Sequence, residues 1–345
     1  MRMGVTRRGF LNIAGPVAAL LATFPTVRLR AETALRLSLE GRIDATSAPF
    51  FVALERGYFK AEGLHVIIEP SNGGLEPITR ITSGAFDLGV GDFTTMIRYR
   101  DQNASAMLKA VFVVNNWPSY AVIGRKSRGV AILSDLAGKR LGAPTAENAS
   151  AAWPILAKLN NIDPSTVRVL TIGVPVREPM LAAGEVDAVT GTAHSTPIAL
   201  REKGVPADDI TTLLMARHGI ELYGSAIIAG NKTLAEKPEA VTAFLRALAR
   251  GLKDTLREPS AALAPVLARM TGGNREIELE RLQTLIRTSI VTPEVGANGM
   301  GAVDPARLER AIEQIGMVYS FKTKPKPADI FDPSFLPPDA ERRLE

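Results

Sequence analysis

FFVALERGYFKAEGLHVII (50–68) holds the junction that decides the fold. Phe51, Leu54, Tyr58 and Phe59 recur at three- and four-residue spacings, which predicts an amphipathic helix over 49–61 with one buried face. Pro49 suits its first turn, and Gly63, after Glu62, suits a left-handed helix end. LHVII then reads as a strand (64–69), apolar and β-branched enough to be covered on both faces. Upstream, LRLSLE (35–40) reads as another short strand. The unit is strand, helix, strand with minimal connections. Its first loop, GRIDATSAP (41–49), becomes a candidate ligand loop.

The alternation continues outward. A helix near 75–83, the strand FDLGVG (86–91), a helix over 93–100 and the strand AMLKAVFVV (106–114) complete one block. NNWPSYAVIGR (115–125) reads as an extended crossing into a second block. There DLAGKRLGAP (135–144), VRVLTI (167–172) and VDAVTG (186–191) hold strands, with helices near 148–160, 176–183 and 194–203. A third section holds DITTLLM (209–215) and the strand ELYGSAIIAG (221–230), and is mainly helical from 231 to 319. Val241, Phe244, Leu245, Leu248 and Leu252 line one side of its helix over 238–258. The proline-rich KTKPKPADIFDPSFLPP (322–338) is expected to lie extended on the surface. Such a series predicts an α/β fold in two lobes. Lobe 1 takes 34–116 and 222–330, lobe 2 takes 117–221, and a tail follows at 331–345. The crossings fall near Asn115–Tyr120 and His218–Tyr223.

The 345 residues are too many for one ordinary core and comfortable for two, and 46% hydrophobic with 22% charged residues is an ordinary globular composition. The net charge of +5 belongs to the N-terminus. Residues 1–31 have a basic start, an apolar run from Ile13 to Phe24, shorter than the roughly 18 residues of a membrane span, and small residues near Ala31. TRRGFL (6–11) resembles the twin-arginine export signal. Cleavage after Ala31 removes five arginines and no acid from 41 basic and 36 acidic side chains, so the remainder is neutral. No electrostatic case for nucleic acid or membrane binding remains. Cysteine is absent, which excludes thiol catalysis and cysteine-based metal or iron–sulfur sites.

GYFKAEGLHV, ITSGAFDLGVGD, DLAGKRLGAP, AAGEVDAVTG and EKPEAVTAFLRAL, in that order, resemble the periplasmic solute-binding proteins of nitrate, taurine, sulfonate and thiamine-precursor ABC importers. The resemblance runs from about residue 35 to FDPSFL near the end. It implies the two-lobe (type II) periplasmic-binding-protein fold, each lobe a mixed sheet flanked by helices, joined by a double hinge around one small ligand. It also implies export to the periplasm, a monomer, and an inner-membrane ABC permease with a separate ATPase as partner.

In open α/β sheets ligands lie beyond the carboxyl ends of strands, where helix N-termini offer free N–H groups. That places Thr46 and Ser47 in the first loop, as ligand donors or helix caps. GDFTT (91–95) supplies Asp92, Phe93 and Thr94, with Phe93 equally suited to a core. Trp117 sits at the first crossing. PTAENAS (144–150) supplies Glu147, Asn148 and Ser150, and GTAHS (191–195) supplies Thr192 and His194. Tyr223 sits at the second crossing. Arg42 and Arg177 stand near these loops as possible partners of an anion. Asp92 and Glu147 would repel an anion that carries no amine or ring N–H. A sulfonate, a carboxylate or a pyrimidine-like heteroaromatic all remain open as ligand.

Nucleophile-elbow, GxxxxGK and HExxH motifs are absent, and GVGDF lacks GxGxxG spacing. No catalytic residue, metal ligand set or cofactor is expected. The yeast-type pyrimidine synthases look similar but carry a cysteine-rich motif that this chain lacks. The export signal argues against a quinone-pathway lyase of the same fold. The sequence therefore reads as an exported solute receptor, with a periplasmic ligand sensor as the alternative and a same-fold enzyme behind it.

Overall fold

A computed structural model describes residues 32–145 and 147–344, together with Met1 and Gly4. Apart from those two residues, the expected export signal lies outside the described residues.

The first strand, β1 (Thr33–Ser38), pairs in parallel with β2 (Leu64–Glu69) and β3 (Leu88–Asp92). After β4 (Leu108–Val113) the chain crosses to a second sheet built from β5 (Tyr120–Arg125), β6 (Arg140–Pro144), β7 (Arg168–Ile172), β8 (Ala188–Thr192) and β9 (Ile210–Leu214). It then returns to β10 (Ser225–Gly230), which inserts antiparallel between β3 and β4. The sheet orders are β2-β1-β3-β10-β4 and β7-β6-β8-β5-β9. Each sheet is mixed and flanked by helices, giving two α/β lobes.

The stretch 50–68 departs from expectation in two ways. The helix is broken into α1 (Ala48–Glu55) and α2 (Tyr58–Ala61), with Gly57 between them at φ +70°. The break puts two side chains on one acid. Arg56 Nη1 and the Tyr58 hydroxyl each lie 2.5 Å from Asp254 Oδ2, on the long helix Pro238–Arg257. The second departure is β2, which is an edge strand rather than one covered on both faces. Leu64 and Val66 point inward while His65 and Ile67 are exposed. Gly63, at φ +74°, ends the helical segment as expected.

Three further helices carry the site: α3 (Glu76–Thr82), α4 (Phe93–Gln102) and α5 (Asn148–Leu159). One apolar cluster joins α1 and the helix 238–257 to one face of the first sheet. A second, with Ile78, Phe93, Trp153, Leu156, Tyr223 and Ile312, reaches from the first sheet's other face to α5. The proline-rich tail lies on the surface without regular structure only over 322–326. It forms a short helix at Pro327–Ile330, bridges Phe331 to Ala110, and buries Ile330 and Arg342. Five proline residues between 325 and 338 permit this, because apolar Ile330 and Phe331 between them supply buried area.

Candidate functional site

A cleft of about 1370 Å³ opens where strand ends of the two sheets face each other. From the first sheet come the residues after β1 and β2, the end of β3 and the start of β10. From the second come the ends of β6, β7 and β8 and the start of β5.

Two carboxylates stand at the first sheet's edge. Glu40 follows β1, and its Oε2 accepts a hydrogen bond from Ser225 Oγ at 2.5 Å. Burial, and then the negative charge of Asp92, push the Glu40 carboxyl up to about 7. Asp92 closes β3 and caps α4, its Oδ1 accepting from Thr95 N at 2.7 Å. Its Oδ2 accepts from the Tyr120 hydroxyl, which belongs to the other sheet. Burial pushes Asp92 above the usual carboxylate range, against the hydrogen bonds from Tyr120 and Thr95. The same burial and the Asp92 charge push the Tyr120 phenol far up, so it stays a donor.

Thr95 Oγ1 lies 2.9 Å from both Asp92 Oδ1 and Asn148 Oδ1. One hydroxyl hydrogen cannot serve both. Donation to the carboxylate leaves Asn148 to turn its amide NH₂ toward Thr95. Asn148 opens α5, so this contact, like Tyr120 to Asp92, ties one lobe to the other.

On the second lobe, Glu147 accepts from Arg177 Nη1 at 2.7 Å through both oxygens. Burial nevertheless holds the Glu147 carboxyl above its ordinary value, against the pull of Arg177. His194 Nδ1 is buried with no hydrogen-bond partner in the protein. Burial pushes this imidazole down to about 4, against the attraction of the Asp44 carboxylate, and Arg281 adds to the depression. The ring is therefore neutral at physiological pH. Nearby, Arg281 donates to Ser195 Oγ, a further link across the lobes.

Eight of the sequence-derived candidates line the cleft: Thr46, Ser47, Asp92, Glu147, Asn148, Ser150, Thr192 and His194. Several of these hydroxyls have local partners. Thr46 Oγ1 donates to Asp44 Oδ1 and Ser47 Oγ to Asp44 O, both at 2.6 Å, so they stabilise the loop turn. Ser150 Oγ and Thr190 Oγ1 are 2.7 Å apart. Four candidates fall elsewhere. Phe93 and Tyr223 are each 1% exposed, their rings tilted at 45° with centroids 5.6 Å apart, because the apolar layer under the first sheet takes them. Thr94 turns to an adjoining cavity of about 200 Å³ that shares Arg98, Tyr120, Asn148 and Ala151 with the cleft. Trp117 packs on the second lobe's core. Arg177 is taken up by Glu147 and Glu178 and is not free for an anion, whereas Arg42 is exposed at the cleft.

Sequence reading missed Glu40, Thr95, Tyr120 and Ser225 as site residues. Two of them carried a local signal: Thr95 lies in the GDFTT stretch, and Glu40 ends the strand read at 35–40, which the structure closes earlier, at Ser38. Among the described residues no group of three or more His, Asp or Glu side chains could hold a metal ion.

The sequence matches the NMT1/THI5-like family over residues 44–262, which includes cleft loops of both lobes. The chain belongs to that family. The chain is similar to the riboflavin-binding protein RibY of Chloroflexus aurantiacus, 27% identical over 62% of this chain and 60% of that protein. The formylaminopyrimidine-binding protein of Halalkalibacterium halodurans is 27% identical over 68% of this chain and 72% of its own length. A 4-amino-5-hydroxymethyl-2-methylpyrimidine phosphate synthase of Schizosaccharomyces pombe is 28% identical over 61% and 62%. The chain thus spans less than two-thirds of the riboflavin-binding relative and of the synthase. The periplasmic aliphatic sulphonate-binding protein SsuA of Escherichia coli superposes with a TM-score of 0.69 over 90% of this chain and 95% of its own, at 14% identity. That likeness shows the periplasmic-binding-protein fold. Among the described residues no helix is long and apolar enough to cross a membrane.

Proposed function

We propose that this protein is the exported solute-binding receptor of an ABC importer and captures a nitrogen heteroaromatic of the pyrimidine or flavin kind. The observation that carries the reading is the Glu40–Asp92 pair at the floor of a cleft that Tyr120 closes from the other lobe. Two clustered carboxyls and a neutral imidazole suit ring N–H and exocyclic amine donors. A sulfonate or nitrate placed there meets like charge and would be repelled. Phe50 and Tyr120, both in the lining, offer aromatic surface to a flat ring.

In this reading lobe 1 (34–116 with 222–330) and lobe 2 (117–221) close on the ligand, and the closed monomer hands it to an inner-membrane permease with a separate ATPase. Residues 1–31 direct export to the periplasm by the twin-arginine route. Ligand contacts come from Asp92, Asn148, Thr192 and His194 together with Glu40. The ligand leaves unchanged, since a chain without cysteine cannot carry the cysteine-rich motif of the synthases it resembles.

A thermal-shift screen of the chain from residue 32, with riboflavin, pyrimidines, taurine, alkylsulfonates, nitrate and aromatic carboxylates, tests this. Ligand at about 100 times its Kd adds roughly 2.7 kcal/mol, a rise of a few degrees. Heteroaromatics alone should stabilise. Stabilisation by sulfonates or nitrate only would overturn the ligand class. Chemical change of a stabilising ligand on incubation would overturn the receptor reading.

A further inference from the structure

Arg307, in the helix Pro305–Gly316, is 7% exposed and does not line the cleft. All five of its side-chain N–H donors are placed. Nε donates to Glu221 O at 2.9 Å. Nη1 donates to Asn116 Oδ1 at 2.9 Å and Glu294 Oε2 at 3.0 Å, and Nη2 to Asn116 O at 3.0 Å and Leu222 O at 2.8 Å. Asn116 lies on the crossing from β4 to β5, and Glu221 and Leu222 on the return from β9 to β10. One guanidinium therefore grips the backbone of both interlobe connections.

The surroundings leave it little freedom. Glu294 balances its charge and also accepts from the Tyr223 hydroxyl at 2.7 Å and Asn116 Nδ2 at 3.1 Å. The guanidinium lies 4.0 Å from the Tyr223 ring centroid. The two crossings touch at Gly224, whose N–H donates to Asn115 O at 3.0 Å; a Cβ there would fall 2.7 Å from that oxygen. Trp117 N–H donates at 3.0 Å to Ser289 O, in the π-helical turn Ile286–Ile290. Gln314, from the same helix as Arg307, holds Gly219 O and Glu221 N. These contacts pin 116–117 and 219–222 to the first lobe, so rotation is left to Pro118–Ser119 and to the segment before Gly219.

We propose that Arg307 is the positioning residue of the hinge: it holds both crossings at one separation and so sets the angle at which the lobes meet. The inference rests on the two-lobe architecture and not on the identity of any ligand.

The absence of cysteine makes the test clean. Lys60→Cys and Lys203→Cys, both exposed and one on each lobe, allow the full chain to be spin-labelled and the interlobe distance distribution read without ligand. Arg307→Lys keeps the charge but not the fork geometry, and should shift the distribution and broaden it about twofold, as a freed hinge does. Asn116→Ser, which removes the side-chain amide that accepts from Arg307 and Thr292 and donates to Glu294 but keeps the backbone carbonyl under Arg307 Nη2, should do the same more weakly. An unchanged distribution with a lowered melting temperature would make Arg307 a structural residue and overturn the proposal. Should Arg307→Lys fail to fold, Asn116→Ser decides alone in either direction. Neither result touches the receptor reading, which the ligand screen tests separately.

Discussion

Tyr120, the first residue of β5, donates its hydroxyl to Asp92, the last residue of β3, so that the opening strand of the second sheet is bonded to the central strand of the first. Asp92 is 2% exposed and also caps α4. Tyr120→Phe leaves a buried carboxylate oxygen without its donor. It should cost about 1–3 kcal/mol, lowering the melting temperature by several degrees in a thermal scan. Asp92→Asn should cost less than Asp92→Ala, which removes the cap as well.

Glu40 and His194 set opposing pH slopes. Glu40 is raised from 4.5 to about 7, so the folded chain keeps a proton that the unfolded chain has released. Its contribution is full below about pH 4.5 and is lost as pH rises through about 7. The complete displacement corresponds to about 3 kcal/mol, and the partial exposure of Glu40 reduces it. His194 is lowered from 6.5 to about 4, so its contribution is present above pH 6.5 and is lost as pH falls toward 4. Urea unfolding across pH 4 to 7.5 should therefore show, relative to the parent, a steeper gain with pH in Glu40→Gln. His194→Gln should show the opposite change in slope. Parallel curves for all three proteins would dismiss both assignments.

Arg177 is 8% exposed and bonded to Glu147 and Glu178, one on each side. Arg177→Met strands two acids in a half-buried site and should destabilise by about 2–4 kcal/mol at pH 7. The loss should shrink at pH 4, where Glu147, raised by burial, takes up a proton. Equal losses at both pH values would mean that packing of the long side chain is what matters.

Asp254, 5% exposed, receives Arg56, Tyr58 and Arg257. Asp254→Ala should cost about 1–3 kcal/mol and loosen the α1–α2 break first. Amide exchange measured over 48–61 should rise more than over β6 to β8.

The strands at 35–40 and 64–69, the helix 238–257 and the return strand near 225 were legible because each is written in a local period and bounded by Gly or Pro. The loops carrying Asp92, Asn148 and His194 were legible because ligand loops follow strand ends in this class of fold. The α1–α2 break was not, since Gly57 sits within an unbroken apolar period and only Asp254, far along the chain, rewards bending there. Tyr223 and Phe93 looked like cleft residues by position. Which face of an end-of-strand residue meets the core is set by what packs beneath it.

The sequence by itself determined the alternation of elements, the two-lobe plan and the stations where a ligand could be met, because periodicity, caps and turns act over a few residues. Tertiary structure alone decided which side chains share the cleft. Ser225 reaches Glu40 across 185 residues because β10 inserts between β3 and β4. Proton affinities at Glu40, Asp92 and His194 followed from that placement, since desolvation depends on what surrounds a group and not on its neighbours in sequence.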